Sequence, residues 1–298
     1  MTDIRDLLDT LDLAIARAER VLDDGAVDSM IRTARRLRTR SGFLGEVLVV
    51  ALAGGTGSGK SSIVNALVGD QIVEIGVVRP TTQQATAVFR PGGAVDLLGL
   101  FDAVGVERRL GHDAAGDIVL IDLPDFDSTA ESHRHVVEQV LPRVDAIVWV
   151  LDPEKYADPV LHRDFLRGTV DHEDLFVFVL NQADRLGAEL PVAVASLASL
   201  LEDDGFTQPP IVTTVAAPFD EADIGALAGV LEDRWDLKST AITKMVLDVL
   251  GIARRGWSAI GEVDPPDDTD ARDALALARA TFVWLGVTAH DVHHRLTT

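Results

Sequence analysis

Val47-Leu48-Val49-Val50-Ala51-Leu52-Ala53-Gly54-Gly55-Thr56-Gly57-Ser58-Gly59-Lys60-Ser61-Ser62 decides the fold. Val47–Ala53 is apolar without a break and has strand length, which marks a strand covered on both faces of a parallel sheet. Gly54 to Ser61 then fit G-x-x-x-x-G-K-[ST] at every fixed position. The glycines let the main chain curl around phosphate oxygens and aim N–H groups at them. A helix opening after the loop adds the partial positive charge of its N-terminus. In this pattern Lys60 reaches the β- and γ-phosphates and Ser61 offers a hydroxyl to Mg²⁺. The blander reading, a Gly-rich turn that binds nothing, leaves the strand before it and the helix after it unexplained.

Further apolar runs follow at Ile118–Ile121, Ala146–Leu151, Leu175–Leu180 and Ile211–Val215, with additional strands expected at Ala85–Arg90 and Ala94–Leu98. Helical patterns lie between them at Ser61–Val68, His133–Leu141, Pro159–Thr169, Pro191–Leu201 and Glu221–Trp235. Alternating β and α segments predict an α/β domain with a doubly wound, mostly parallel sheet over residues 45–237.

The flanks read as helices. Ile4, Leu7, Leu8, Leu11, Ile15, Ala18 and Leu22 share one helical stripe, and a second helix over 27–40 carries Arg32, Arg35, Arg36, Arg38 and Arg40. Residues 1–44 are expected to form a helical hairpin, its basic run pairing with acidic surface. Residues 238–298 are expected as a C-terminal helical segment packing with it, helix 238–260 being separated from helix 269–291 by Asp264-Pro265-Pro266-Asp267-Asp268. Trp235, Trp257 and Trp284 lie on helical patterns and are expected in the core. His290, Asp291, His293 and His294 read as a solvated tail in preference to a metal site.

Composition narrows the function classes. A net charge of −21 over 298 residues disfavours non-specific nucleic-acid binding. The absence of cysteine excludes disulfides, thiolate metal sites and cysteine nucleophiles, and accords with a cytoplasmic location. The acidic start, Met1–Asp12, lacks the form of a signal peptide. No apolar run is long enough for a membrane-spanning helix. The chain reaches Thr298 without an obvious stop signal, which is compatible with further segments in a longer protein.

Two carboxylates complete the phosphate site. Asp122 ends the strand Ile118–Ile121, where it can hold Mg²⁺ through a water opposite Ser61. Asn181-Gln182-Ala183-Asp184 follows the strand Leu175–Leu180. A carboxylate there can accept from guanine N1–H and its 2-amino group, a donor pair that adenine lacks.

With these residues in place the chain resembles the translation-factor-related GTPases, within them the Era-like and bacterial dynamin-like branches. Residues 54–61 match the first family motif. Arg79-Pro80-Thr81-Thr82 resembles the second, Asp122-Leu123-Pro124-Asp125 the third, Asn181–Asp184 the fourth and Thr214-Val215-Ala216 the fifth. The resemblance implies a P-loop GTPase domain that binds GTP or GDP with Mg²⁺. It implies nucleotide contacts from Gly54, Gly55, Thr56, Gly57, Ser58, Gly59, Lys60, Ser61, Ser62, Asp125, Asn181, Gln182, Asp184, Val215 and Ala216. Ser61, Thr82 and, through water, Asp122 are implied as metal ligands, with Thr81 the alternative to Thr82. Lys60, Thr82 and Asp122 are the implied catalytic residues.

This sequence departs from the family at three places. Asp125 stands where the family has a glycine whose N–H meets the γ-phosphate; its own N–H can do the same, but a carboxylate there repels phosphate unless it turns away or binds through metal and water. Gln182 replaces a lysine whose stem covers guanine. Phe126 stands where small GTPases hold a water-positioning glutamine, so turnover is expected to be slow unless a partner protein, a second G domain or a monovalent cation assists. Gly57, where the cation-dependent members carry asparagine, argues against the cation, and Arg79 is a candidate charge donor. The expected behaviour is that of a regulatory or dynamin-like mechanochemical switch, homodimerising through G domains and peripheral to a membrane surface. The rivals are a nucleotide-binding scaffold with negligible hydrolysis and a P-loop ATPase.

Overall fold

The structure is a computed structural model that describes residues 4–22, 24–40, 47–74, 85–91, 97–125, 139–261, 263 and 269–297. The chain divides into two compact units, Val47–Trp235 and the pair of segments Met1–Glu46 and Asp236–Thr298.

The Val47–Trp235 unit is built on a seven-stranded sheet. Its strands are β1 (Leu48–Gly54), β2 (Ala85–Phe89), β3 (Val106–Gly111), β4 (Ile118–Asp122), β5 (Ala146–Leu151), β6 (Phe176–Leu180) and β7 (Ile211–Thr213). They lie in the order β3-β2-β4-β1-β5-β6-β7, and every pairing is parallel except β2 with β4. All residues of β1, β5 and β6 are buried, as their unbroken apolar sequences require. In the β1–β4 register Leu52 faces Asp122, so the strand-end carboxylate sits beside the loop that follows β1.

One predicted strand is replaced by a helix. The reading of Ala94–Leu98 as a strand fails at Leu98, which opens a helix, Leu98–Val104; residues 94–96 lie outside the described set. The neighbouring strand is instead β3, Val106-Glu107-Arg108-Arg109-Leu110-Gly111, in which Val106 is buried and half-buried residues alternate with exposed ones. Charged residues on an edge strand discourage unwanted pairing, and the same charges give β3 the look of a loop in the sequence.

The remaining helices refine the sequence boundaries. The chain holds α1 (Ile4–Ala18), α2 (Asp24–Arg40), α3 (Lys60–Val68), α4 (Leu98–Val104), α5 (Pro159–Asp164), α6 (Leu190–Asp204), α7 (Gly225–Gly261) and α8 (Thr269–Thr297). The helix expected over Pro159–Thr169 stops at Asp164 and continues as 3₁₀ turns from Leu166 to Leu175. Gly168, Thr169 and Val170 are weak helix formers, and Phe165 leaves helical geometry to stack on Trp149 with ring centroids 4.6 Å apart. Most of the expected His133–Leu141 helix lies outside the described residues. The two helices expected on either side of Trp235 are one continuous helix, α7, because no glycine or proline interrupts the chain between Gly229 and Gly251.

Each unit has its own core. In the sheet unit Ile63, Val64 and Val68 of α3 pack with Leu48, Val50, Val148, Val179, Leu227 and Leu231, and Trp235 packs at the margin of that cluster. Arg234 donates to the carbonyls of Asp174 (2.8 Å) and Phe176 (3.1 Å) at the start of β6. In the helical unit Leu7, Leu11 and Ile15 of α1 and Val27 and Met30 of α2 pack with Val246 and Ile252 of α7 and Phe282 and Leu285 of α8. Trp257 and Trp284 do not join this core. They are 47% and 52% exposed, because the buried stripe of α7 runs through Ile252, Ala253 and Ile260 and that of α8 through Phe282, Leu285 and Ala289.

Candidate functional site

The loop Gly55–Gly59 joins β1 to α3, which opens at Lys60. Two glycines are sterically required. Gly59 has φ +97°, and a Cβ there would lie 2.2 Å from Asn181 Nδ2. At Gly54 a Cβ would stand 2.3 Å from the Val150 carbonyl oxygen. The loop is therefore pressed against β5 on one side and against the segment after β6 on the other.

Lys60 is buried at the base of the loop. Its ammonium donates to the Gly54 carbonyl at 2.9 Å, to the Gly55 carbonyl at 3.5 Å and to Asp125 Oδ1 at 2.7 Å. Ser61 Oγ donates to Asp122 Oδ2 at 2.6 Å. Asp122 is fully buried, and burial raises its carboxyl from 3.8 to about 6; the bond from Ser61 and the charge of Lys60 oppose the rise, and the charge of Asp125 adds to it. Asp122 Oδ1 has no hydrogen-bond partner among the described residues. A buried acceptor left open beside a serine hydroxyl fits a hydrated Mg²⁺, which takes oxygen ligands and keeps several of its waters. Ser62, next on α3, is buried.

The segment after β6 is tied to this loop by one side chain. Asn181 Nδ2 donates to the Ser58 carbonyl at 2.8 Å, while Asn181 Oδ1 accepts from Thr214 Oγ1 at 2.9 Å and from the Ala216 N–H at 3.1 Å. Ala183 N–H donates to the Thr214 carbonyl at 3.1 Å. Val215 pairs with Asp223 in an isolated antiparallel bridge. Gln182 adopts φ +58°, its Nε2 donates to the Gly57 carbonyl at 3.0 Å, and its Oε1 accepts from Arg185 at 2.6 Å. Asp184 is exposed on the same turn. Gly54 to Ser61, Asp122, Asp125, Asn181, Gln182 and Thr214 to Ala216 are thus joined by direct bonds or adjacency at the C-terminal ends of β1, β4, β6 and β7. Thr81, Thr82, Arg79 and Phe126 lie outside the described residues.

The turn after β5 adds polar groups to this site that no sequence motif marks. Asp152 Oδ1 accepts from the N–H groups of Glu154 and Lys155 at 2.9 and 3.0 Å, and the folded turn sets Lys155 Nζ 2.9 Å from the Thr56 carbonyl. Glu154 also pairs with Arg185. A cavity of about 260 Å³ lies here, lined by Gly55, Thr56, Ser58, Trp149, Asp152 and Lys155 among others. The available signal was position alone, since Asp152-Pro153-Glu154-Lys155 leaves a central strand at the same end of the sheet. At the chain's other end, His290 and Asp291 are exposed, and no cluster of three histidine, aspartate or glutamate residues suited to a metal occurs among the described residues.

Residues 49–182 match the family described as 50S ribosome-binding GTPase. A chloroplastic protein of Arabidopsis thaliana, described as a probable transmembrane GTPase FZO-like, is 28% identical over 167 residues, which make up 50% of this chain and 17% of that protein. An oligomerised bacterial dynamin pair has the same fold with a TM-score of 0.52 at 12% identity, over 86% of this chain and 47% of that one. Era of Aquifex aeolicus gives a TM-score of 0.43 at 18% identity, over 63% of this chain and 56% of that one. The chain thus spans about half, or less, of the length of the dynamin and FZO-like proteins it matches. Among the described residues no helix is long and apolar enough to cross a membrane. Residues 49–182 therefore match a P-loop GTPase domain.

Proposed function

We propose that this protein hydrolyses GTP to GDP and phosphate and uses the cycle as a dynamin-like switch. The observation that carries the reading is the bridging amide of Asn181. It joins the loop that offers N–H groups to phosphates to the two segments expected to grip the base, so both ends of one nucleotide would meet a single braced surface. Asp184, three residues further on, is the carboxylate that would read guanine. Ser61 and Asp122, with Thr82 in the triphosphate state, would hold Mg²⁺, which when bound supplies positive charge to the phosphate oxygens. Lys60 would orient the β- and γ-phosphates, and Thr82 the attacking water. Turnover is slow in this reading, with acceleration coming from a second G domain or a partner protein. The helices of residues 1–44 and 238–298 would form the moving part, in a protein of the cytoplasm that meets membranes peripherally. The dynamin pair described as sensing and tethering membranes is the comparison behind that last step.

Titration calorimetry with Mg²⁺ tests the base assignment. GDP should bind at least about tenfold more tightly than ADP, and Asp184→Asn should lose guanine preference and gain xanthosine nucleotides. Equal competition by ADP would return the protein to the ATPases. Lys60→Ala should abolish uptake of GTP. Single-turnover hydrolysis at high protein concentration, followed together with molecular mass, tests the switch. A nucleotide-binding scaffold is the second reading, favoured by the hold of Asp125 on Lys60, and a rate at background in both monomer and dimer would establish it.

A further inference from the structure

Lys60 has three ammonium protons, and three acceptors surround them. Two are carbonyls of the loop itself, Gly54 and Gly55, which fix the head of the side chain. The third is Asp125, 2.7 Å away, in a pair whose side chains are only 3% and 5% exposed. A buried ion pair is costly to separate, because each charge left behind has lost water without regaining a partner. Asp125 lies just past the end of β4, and nothing in the course of that strand requires an anion at this point. A carboxylate directed at the ammonium that should receive the γ-phosphate is therefore a local conflict of charge, of the kind that marks function.

We infer that Asp125 is a built-in competitor for Lys60 and thereby sets the preference between guanosine triphosphate and diphosphate. The inference rests on the proposed function, in which Lys60 receives the phosphates. A terminal phosphate on Lys60 must either displace the Asp125 carboxylate or lie beside it, and both penalise the nucleotide with more charge at that end. The diphosphate ends one phosphate short and meets less of the conflict. Asp125 thus lowers the affinity for triphosphate selectively, and release of its carboxylate reports that the γ-phosphate has arrived.

The test measures the affinities of GDP and of a non-hydrolysable GTP analogue, both with Mg²⁺, for the full chain and for Asp125→Asn, Asp125→Gly and Asp125→Glu. The neutral variants should shift the ratio of affinities about tenfold toward the triphosphate, a shift of the size usual for coupled sites. GDP affinity should change by a smaller factor than that of the triphosphate, and a far-ultraviolet circular dichroism spectrum matching the parent's certifies the fold. Asp125→Glu should keep the parent's ratio. If the parent binds both nucleotides and the neutral variants change the two affinities equally, or weaken the triphosphate, Asp125 is not a competitor and the inference is overturned while the GTPase reading stands. If the parent binds neither nucleotide, the GTPase reading fails and the inference with it.

Discussion

Asp122 and Asn181 show what single buried polar groups do in this domain. The Asp122 carboxyl is pushed up to about 6, chiefly by burial. Its pKa is raised in the folded state, so that state holds the proton more tightly, and the resulting stabilisation is complete below the unfolded value and lost as pH climbs through about 6. The size is about 3 kcal/mol by the free-energy equivalent of a pKa shift. Urea unfolding of the nucleotide-free, metal-free protein should therefore lose this contribution from about pH 4 to about pH 7, and Asp122→Asn should not. Asn181 is the opposite case, bonded through both its amide nitrogen and its oxygen to Ser58, Thr214 and Ala216. Asn181→Ala orphans those groups and should cost about 3 kcal/mol in chemical denaturation. The motif made Asn181 and Asp122 readable as candidates. The pairing of Lys60 with Asp125 was not readable, because only the fold turns that carboxylate inward.

Elements differ in how plainly sequence announces them. The buried strands β1, β5 and β6 are legible because unbroken apolar runs of strand length, such as Val-Val-Ala-Leu-Ala and Phe-Val-Phe-Val-Leu, suit a strand covered on both faces. β3 is not, because an edge strand is free to carry Glu107, Arg108 and Arg109. Helix α7 runs straight through Trp235 because no terminator stands there, and α5 ends at Asp164, short of the expected Thr169, because the stacking of Phe165 on Trp149 is a tertiary event that no local pattern announces. Gly256 gives a test at this scale. A Cβ there would lie 2.2 Å from Phe282 Cε1, so the residue allows α7 and α8 to approach closely. Gly256→Ala should destabilise the helical unit by about 1–3 kcal/mol through overpacking, measured by thermal or urea melts.

At the scale of the molecule the two units bury separate clusters, one around Val50, Val148 and Val179 and one around Leu11, Val246 and Phe282. Calorimetry should resolve two contributions to unfolding. Guanine nucleotide with Mg²⁺ should raise only the transition of the sheet unit, since a ligand stabilises the unit that binds it. Phe282→Ala should lower the other by about 3–5 kcal/mol. A single transition that moves as a whole with nucleotide would show that the cores unfold together.

The sequence by itself determined the glycine-rich loop between β1 and α3, the mostly parallel sheet behind it and the carboxylate that ends β4. Those features rest on short-range rules: glycine where the chain curls, unbroken apolar runs where a strand is covered twice, and fixed spacing within a motif. Only the tertiary structure decided that Asn181 would bridge the loop after β1 and the segment after β7, that Lys155 would rest on Thr56 and that Asp125 would claim the ammonium of Lys60. Those contacts join residues 65 to 123 positions apart. No local rule reaches that far, and such contacts are set by strand order and by the cost of leaving a buried charge alone.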